Sequence, residues 1–476
     1  MENTVERIDA SALASECKGP LLLPGDDKYD AVRKIWNAAV DNHPALIARC
    51  IETSDVAAAI RFARDNDLEI GVRCGGHSVI GYSVPDGGLM IDLSLMNKVR
   101  VDPEKQLAYA EGGALLRSLD QEAQAHDLAT TAGNVSHTGV GGLTLAGGMG
   151  WLARRFGLAC DNVTSFELVT AEGEVIRASA TENPELGWGL RGGGGNFGVV
   201  TEFVFQLHPM KDTAICADMY FEMDQAEQAL RQWRNTLAKT PREATLGAWT
   251  GIAGEWPFLP KEHYGKQLVR VGYVWVGDQV EGEAFLSQLQ GDLSPVAQHI
   301  QKMSYLELQS MDDSTREEYG RRRYWKGFYF DEFSDEAIRA FISLGVDSLS
   351  SSDPGFRASA SLQQYGGAIA DTGDEETAFS HRNALCESLV ATSWIDQAED
   401  ESRIAAARRF AAALAPFTSG AYVNTAGSDK QSDARSVYGE NKLQRLRKLK
   451  SKYDPYNIFH RNANITPLYL PRKQAS

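Results

Sequence analysis

The apolar positions of this chain change period several times, and the changes mark out its elements. Thr53-Ser54-Asp55 reads as a helix start, and Val56 to Arg64 carries apolar residues on one helical face. Leu68 to Val72 and Gly88 to Leu93 are short apolar runs that read as strands. Val99–Val101 and Leu107–Ala110 flank the turn Asp102-Pro103-Glu104-Lys105, and Ala114 to His126 returns to a helical period. Val199 to Leu207 alternates and is rich in β-branched residues, so it is a strand. Beyond Pro209, helical stretches (Gln225–Leu237, Ile404–Leu414) mix with strands (Gln267–Trp275, Tyr324–Tyr329). Lys442 to Lys450 is a basic helix stopped at Asp454-Pro455. The pattern predicts an α+β fold of two domains.

Between Thr130 and Gly150 the chain is dense in glycine, yet Val140, Leu143, Leu145 and Trp151 interleave with the glycines. A flexible linker would carry serine in place of these apolar residues. The stretch therefore reads as backbone pressed against a planar or phosphorylated ligand. Gly193-Gly194-Gly195-Asn196-Phe197-Gly198 satisfies the Gly-x-Gly-x-x-Gly pattern, but a strand follows it where a dinucleotide-binding turn needs a helix. A nicotinamide site of that type is excluded. His77, after Cys74-Gly75-Gly76 at the end of a strand, is the residue whose setting most suggests chemistry.

Charge narrows the partners. A net charge of −16 argues against nucleic acid or an anionic membrane. An acidic chain that holds a phosphate-bearing cofactor must do so with local backbone donors. Cysteines 17, 50, 74, 160, 216 and 386 form no Cys-x-x-Cys pair, and the histidines show no His-x-x-x-His spacing. Free thiols and no metal site are expected. No apolar run approaches the length of a membrane span, and the first residues lack the features of a secretory signal, so a soluble cytoplasmic protein is expected.

Five ordered blocks carry a family likeness. They are Val72-Arg73-Cys74-Gly75-Gly76-His77-Ser78; Gly139-Val140-Gly141-Gly142 with Gly147-Gly148-Met149-Gly150-Trp151-Leu152; Gly157 to Val163; Trp188 to Gly198; and Tyr453 to Phe459 with Asn462-Ala463-Asn464-Ile465. In these the chain resembles the berberine bridge enzyme-like FAD-linked oxidases of the vanillyl alcohol oxidase superfamily. The bacterial 6-hydroxynicotine oxidase-like branch looks nearest. The resemblance implies a two-domain PCMH-type FAD-binding fold, with an FAD domain over residues 1–208 and an α+β substrate domain over 209–420. The segment 421–476 would return to the FAD domain. It also implies FAD bound covalently through an 8α-histidyl bond to His77. The wall of the cofactor site would comprise Arg73, Cys74, Gly75, Gly76, Ser78, Gly81, Tyr82, Gly133, Thr138, Gly139, Gly142, Gly148, Val200, Tyr422, Asn424 and Asn464.

Departures from the family pattern refine these expectations. Val135 stands where many members carry a second, cysteinyl flavin link, so His77 should be the single attachment. Cys160 is out of register to replace that link. Thr138 falls at the position that faces the flavin and influences oxygen access. The family's tyrosine base in Tyr-x-Asn-Tyr is here Thr425, in Tyr422-Val423-Asn424-Thr425, which has no useful basicity. Asp371, after Tyr365-Gly366-Gly367, aligns with the glutamate base of berberine bridge enzyme, although Thr372-Gly373-Asp374-Glu375-Glu376 follows as an acidic turn. Trp256, Tyr324, Trp325, Tyr329 and Trp394 are aromatic candidates for either a pocket or a core.

The activity implied is hydride removal from a C–H beside an alcohol or amine of a small molecule, with O2 as acceptor. The alternatives are a biosynthetic oxidase or monooxygenase acting on a polyketide or alkaloid intermediate, and a flavin-binding protein without turnover. A monomer or homodimer is expected.

Overall fold

The computed structural model describes residues 8–211, 213–311, 313, 319–347, 358–425 and 434–469. The first half of the chain builds two main sheets. In one, strands lie in the spatial order Leu21–Leu22, Leu46–Arg49, Leu89–Asp92, Ile70–Arg73, and the last three run parallel. The other is antiparallel, in the order Val99–Asp102, Leu107–Glu111, Val199–Gln206, Val163–Val169, Val175–Ser179. The helix Thr53–Asp65 starts where the pattern places it, but neither Thr53 nor Ser54 caps it. The buried carboxylate of Asp55 instead accepts from the backbone N–H groups of Lys18, Gly19 and Ile51, tying the N-terminal segment to this helix. The helix expected over Ala114–His126 is shorter, Leu116–Gln124, because Ala114 and Leu116 are spent on pairing with the segment that follows Ser136.

The middle of the chain forms one antiparallel sheet of seven strands between Ala214 and Trp394. One face packs under the helices Ala226–Leu237, Asp335–Asp347 and Asp400–Leu414, with Trp233, Phe333 and Phe410 in that core. Alternation in Ser359–Gln364 and Cys386–Trp394 leaves Ser361, Gln363, Glu387 and Leu389 half-buried on the other face. Tyr324 and Trp394 belong to the helix-side core, whereas Trp325 and Tyr329 do not, so the aromatic candidates divide by strand face.

The C-terminal helical segment Ala434–Tyr453, kinked at Gly439, docks back on the first half through Leu446 and Leu449. Its anchor is a fully buried pair. Lys450 Nζ donates to Asp454 (2.6 Å) and to the carbonyls of Asn196 and Phe459, while Asp454 accepts from the N–H groups of Ile458 and Phe459. No donor or acceptor of the pair is left over, which is the condition under which burying two charges is tolerated. Among the described residues, no helix is long and apolar enough to cross a membrane, and no His/Cys/Asp/Glu cluster could hold a metal.

A second buried contact joins the two halves. Gln309, in the helix Tyr305–Ser310, donates to Asp120 Oδ2 (3.0 Å) and to the Gly133 carbonyl (3.1 Å). Asp120 is only 2% exposed, and burial raises its carboxyl to about 7. In the unfolded chain this group ionises near 4. Between those pH values the folded state keeps a proton that the unfolded state has lost, so the group's contribution to stability falls as pH rises through that window. Asp120→Asn should therefore gain on the wild type by about 1 kcal/mol or more between pH 5 and pH 8, read from urea unfolding. A difference independent of pH would show that Asp120 is not held protonated.

Candidate functional site

Strand Ile70–Arg73 ends in the loop Cys74-Gly75-Gly76-His77, and this loop lies directly on the glycine block at 139–142. A Cβ on Gly75 would sit 2.4 Å from the Gly139 nitrogen, and one on Gly139 would sit 2.4 Å from Cys74 Sγ. Only glycine permits that approach of two backbones. The consequence is that His77 meets His137: Nε2 of the first lies 2.7 Å from Nδ1 of the second. The His77 ring stacks on Trp36 at 4.8 Å and 15°, and Arg323 from the seven-stranded sheet lies 3.8 Å over the same indole.

These elements line a cleft of about 360 Å³ between the two halves of the molecule, within the range of small-molecule and cofactor sites. Cys74, Gly75, Gly76, His77, Ser78 and Tyr82 form one wall. Thr138, Gly139, Gly142, Leu143 and Met149 form a second, with Val200 behind them. Trp325, Tyr422, Asn424 and Thr425 close the side next to the seven-stranded sheet. Asn424 reaches back to the Gly142 carbonyl (3.2 Å), and Tyr422 Oη accepts from Asn424 (3.3 Å) and from the Gly148 N–H (3.4 Å).

Five residues expected in the wall stand behind it. Arg73 pairs with the buried Asp92 (3.5 Å). Gly81 packs against Val40 and Gly133 against Leu143. Gly148 serves as the donor to Tyr422, and Asn464 lies outside the lining. Val135 does line the cleft at the position of the absent cysteine, and Cys160 is fully buried elsewhere, in the cluster with Met149 and Tyr365.

Asp371 is not in the cleft. Its side chain is 55% exposed and forms a two-pronged pair with Arg242 (2.9 Å for one contact), at the end of a short helix after Gly367. A solvated, ion-paired carboxylate is a poor base, so the assignment of Asp371 as catalytic is corrected. The acidic turn that follows it was the better guide.

A carboxyl does stand directly behind the cleft wall: Glu387, on the half-buried face of strand Cys386–Trp394, one hydrogen bond from the lining residue Thr425. It accepts from Tyr365 Oη (3.2 Å) and from Thr425 Oγ1 (3.3 Å), with Tyr329 Oη 3.4 Å from Tyr365 Oη. Burial raises it to about 7, against the lowering effect of the two hydroxyls. The position that lacks a tyrosine thus supports a carboxylate instead. Glu387 and His137 both escape sequence reading. A lone charge in an alternating strand, and a histidine inside a glycine-rich loop, were the available signals. Trp36 offered none, since its partners are far away in sequence.

The chain has relatives among flavin-linked proteins. A family model described as an FAD binding domain matches residues 44–179, and one described as berberine and berberine like matches residues 421–466. An FAD-linked oxidoreductase of Dictyostelium discoideum is 31% identical over 459 residues, 95% of each chain. (R)-6-hydroxynicotine oxidase of Paenarthrobacter nicotinovorans is 45% identical over 193 residues, 40% of this chain and 42% of that one. The crystal structure of 6-hydroxy-D-nicotine oxidase from Arthrobacter nicotinovorans superposes with a TM-score of 0.84 at 30% identity, covering 96% of this chain and 99% of that one.

Fold and site together define an FAD-linked oxidoreductase with the two-domain PCMH-type architecture. The chain belongs to the berberine bridge enzyme-like family and is similar to 6-hydroxynicotine oxidases.

The cleft suits the cofactor of that family. A Cβ on Gly142 or Gly195 would meet nothing within 4 Å, so both leave open space at the lining. Ser83 Oγ and Asn462 Oδ1 are buried there without a hydrogen-bond partner among the described residues. Arg461 is the cation of the lining, and Glu69 and the carbonyls of Gly81, Tyr82 and Val84 already engage its guanidinium. Backbone donors must then carry much of the burden of holding the pyrophosphate, as expected for so acidic a chain. Gly142→Val should weaken FAD binding at least about tenfold while leaving the unfolding transition of the apoprotein within about 1 kcal/mol of wild type. FAD titration and thermal melts check both parts, and undiminished binding would show that the cofactor does not pass Gly142.

Proposed function

We propose that this chain is an oxidase that carries FAD covalently on His77 and oxidises a small organic substrate at a carbon bearing a hydroxyl or amino group, with O2 as acceptor. FAD, when bound, supplies the two-electron acceptor for the substrate's hydride. The protein's part is to place the substrate and to manage its proton. Glu387 is the observation that carries the reading: a carboxyl beside the cleft, poised near neutral pH, supported by two hydroxyl donors. A base is most useful when its pKa lies near the working pH.

In this reading Glu387 takes the proton from the substrate's O–H or N–H as the adjacent C–H bond breaks. Tyr365 and Thr425 hold the carboxylate in place and stabilise its charged form. Trp325 and Tyr422 give the substrate apolar walls, and Asn424 ties the wall to the glycine block. Thr138, small and at the lining, leaves room for oxygen. The similarity to 6-hydroxynicotine oxidases supports small heterocyclic amines or alcohols as the first substrates to try.

The test is anaerobic flavin reduction across a panel of such amines and alcohols. Below about pH 7 Glu387 is protonated and cannot accept, so the rate should rise with pH through that value. Glu387→Gln should remove this limb and slow reduction at pH 8 by about 100-fold or more. Thr425→Val removes a donor to the carboxylate, so the limb should move to higher pH. Asp371→Asn should leave reduction unchanged. A Glu387→Gln variant with the wild-type pH profile overturns the assignment.

A further inference from the structure

We propose that His137 is the base that drives attachment of the flavin to His77. This rests on the reading that His77 carries the bond, and adds to it the residue that makes His77 reactive.

Both rings are held in place. His77 Nε2 lies 2.7 Å from His137 Nδ1, with ring centroids 4.6 Å apart. His77 is fixed in plane by its stack on Trp36, and Trp36 by the Arg323 guanidinium over its ring. His137 is 5% exposed, and its backbone neighbours are pinned on both sides. The Leu116 N–H donates to the Thr138 carbonyl (2.9 Å) and the Arg117 N–H to the Ser136 carbonyl (2.8 Å). Ser136 Oγ donates to Asp313 Oδ2 (2.6 Å). A histidine pair locked from two domains exceeds what packing of a glycine loop requires.

The contact admits the tautomer that the attack needs. With His137 Nδ1 as acceptor, the His77 proton sits on Nε2, and the lone pair is on His77 Nδ1. That nitrogen is then the nucleophile. A bond forms between His77 Nδ1 and the 8α carbon of the flavin. The 8-methyl group loses a proton, the Nε2 proton of His77 passes to His137, and the electron pair released reduces the ring system. Dioxygen takes two electrons and two protons back as hydrogen peroxide, so one peroxide forms per flavin attached. Without an acceptor at Nε2, the attack would leave a cationic imidazole in a largely buried setting, which is costly. Cys74, three residues away, does not compete. Burial raises its thiol to about 11, so it stays protonated and unreactive.

The experiment uses full-length protein produced under riboflavin depletion and reconstituted with FAD in air. Covalent flavin is followed by fluorescence of the denatured protein, and reversible FAD binding by its absorbance spectrum. Wild type should accumulate covalent flavin with one equivalent of peroxide. His137→Ala and His137→Asn should bind FAD reversibly but attach it about 100-fold more slowly. Added imidazole should restore the rate in His137→Ala, and more so as pH rises through the imidazole pKa. A merely structural role would not respond to imidazole. Attachment at the wild-type rate in either His137 variant, or a slow rate that imidazole leaves untouched, overturns the role of His137 while His77 stands. Covalent flavin in His77→Ala overturns the attachment reading itself.

Discussion

The site depends on one close approach, the backbone of Gly75 against the backbone of Gly139. No side chain fits between them, and each would-be Cβ falls within 2.4 Å of an atom of the other loop. That contact joins the end of a strand in the parallel sheet to a loop pinned on the helix Leu116–Gln124. It sets His77 against His137 and leaves Gly142 facing an open cleft. Residues 60 apart in sequence become one chemical unit because two glycines remove the obstruction. A substitution at either glycine would displace the histidine pair before it disturbed the cores of the two sheets.

The two halves of the molecule are coupled through the same region. Trp36, from the first half, takes His77 on its ring and Arg323, from the seven-stranded sheet, over the same ring. Asn37 next to it donates to the Arg323 carbonyl and accepts from the Arg323 N–H (2.7 Å). Arg382 pairs with Asp161 (2.6 Å) where both are nearly fully buried, and Arg154 donates to the carbonyls of Ala244 and Tyr365. A buried ion pair such as Arg382–Asp161 adds little net stability, but losing one partner of it, or of the buried hydrogen bonds, is costly. These contacts act as registers: they fix which face of the seven-stranded sheet looks at the cofactor side. That face carries Glu387, Gln363 and Trp325, while Tyr324 and Trp394 point under the helices.

Much of the fold was legible because it is written in local periods. The helix at 53–65, the strand at 199–206 and the rejection of a nicotinamide loop at Gly193–Gly198 all follow from patterns within a dozen residues. The glycine blocks and His77 were legible because glycine density among apolar residues has few explanations. Asp371 misled because a motif position is not an environment: the chain turns outward after Gly367 and Arg242 meets the carboxylate in solvent. Glu387 could not be read in advance, since its raised pKa comes from burial in the folded sheet, and the hydroxyls that hold its carboxylate, Tyr365 and Thr425, lie 22 and 38 residues away. His137 was hidden for the same reason. Its meaning lies in a partner that only the folded backbone brings near.

In the proposed division of labour His77 holds the cofactor, His137 makes that bond possible, and Glu387 handles the substrate's proton. Everything else in it follows from a single attachment at His77. The most direct measurement is peptide mapping by mass spectrometry of the denatured, protease-digested wild-type holoprotein. One flavin-bearing peptide is expected, the one spanning Cys74 to Ser78, with the mass increment on His77 and none on the peptide containing Val135. Flavin released by denaturation, or found on any other residue, would contradict it.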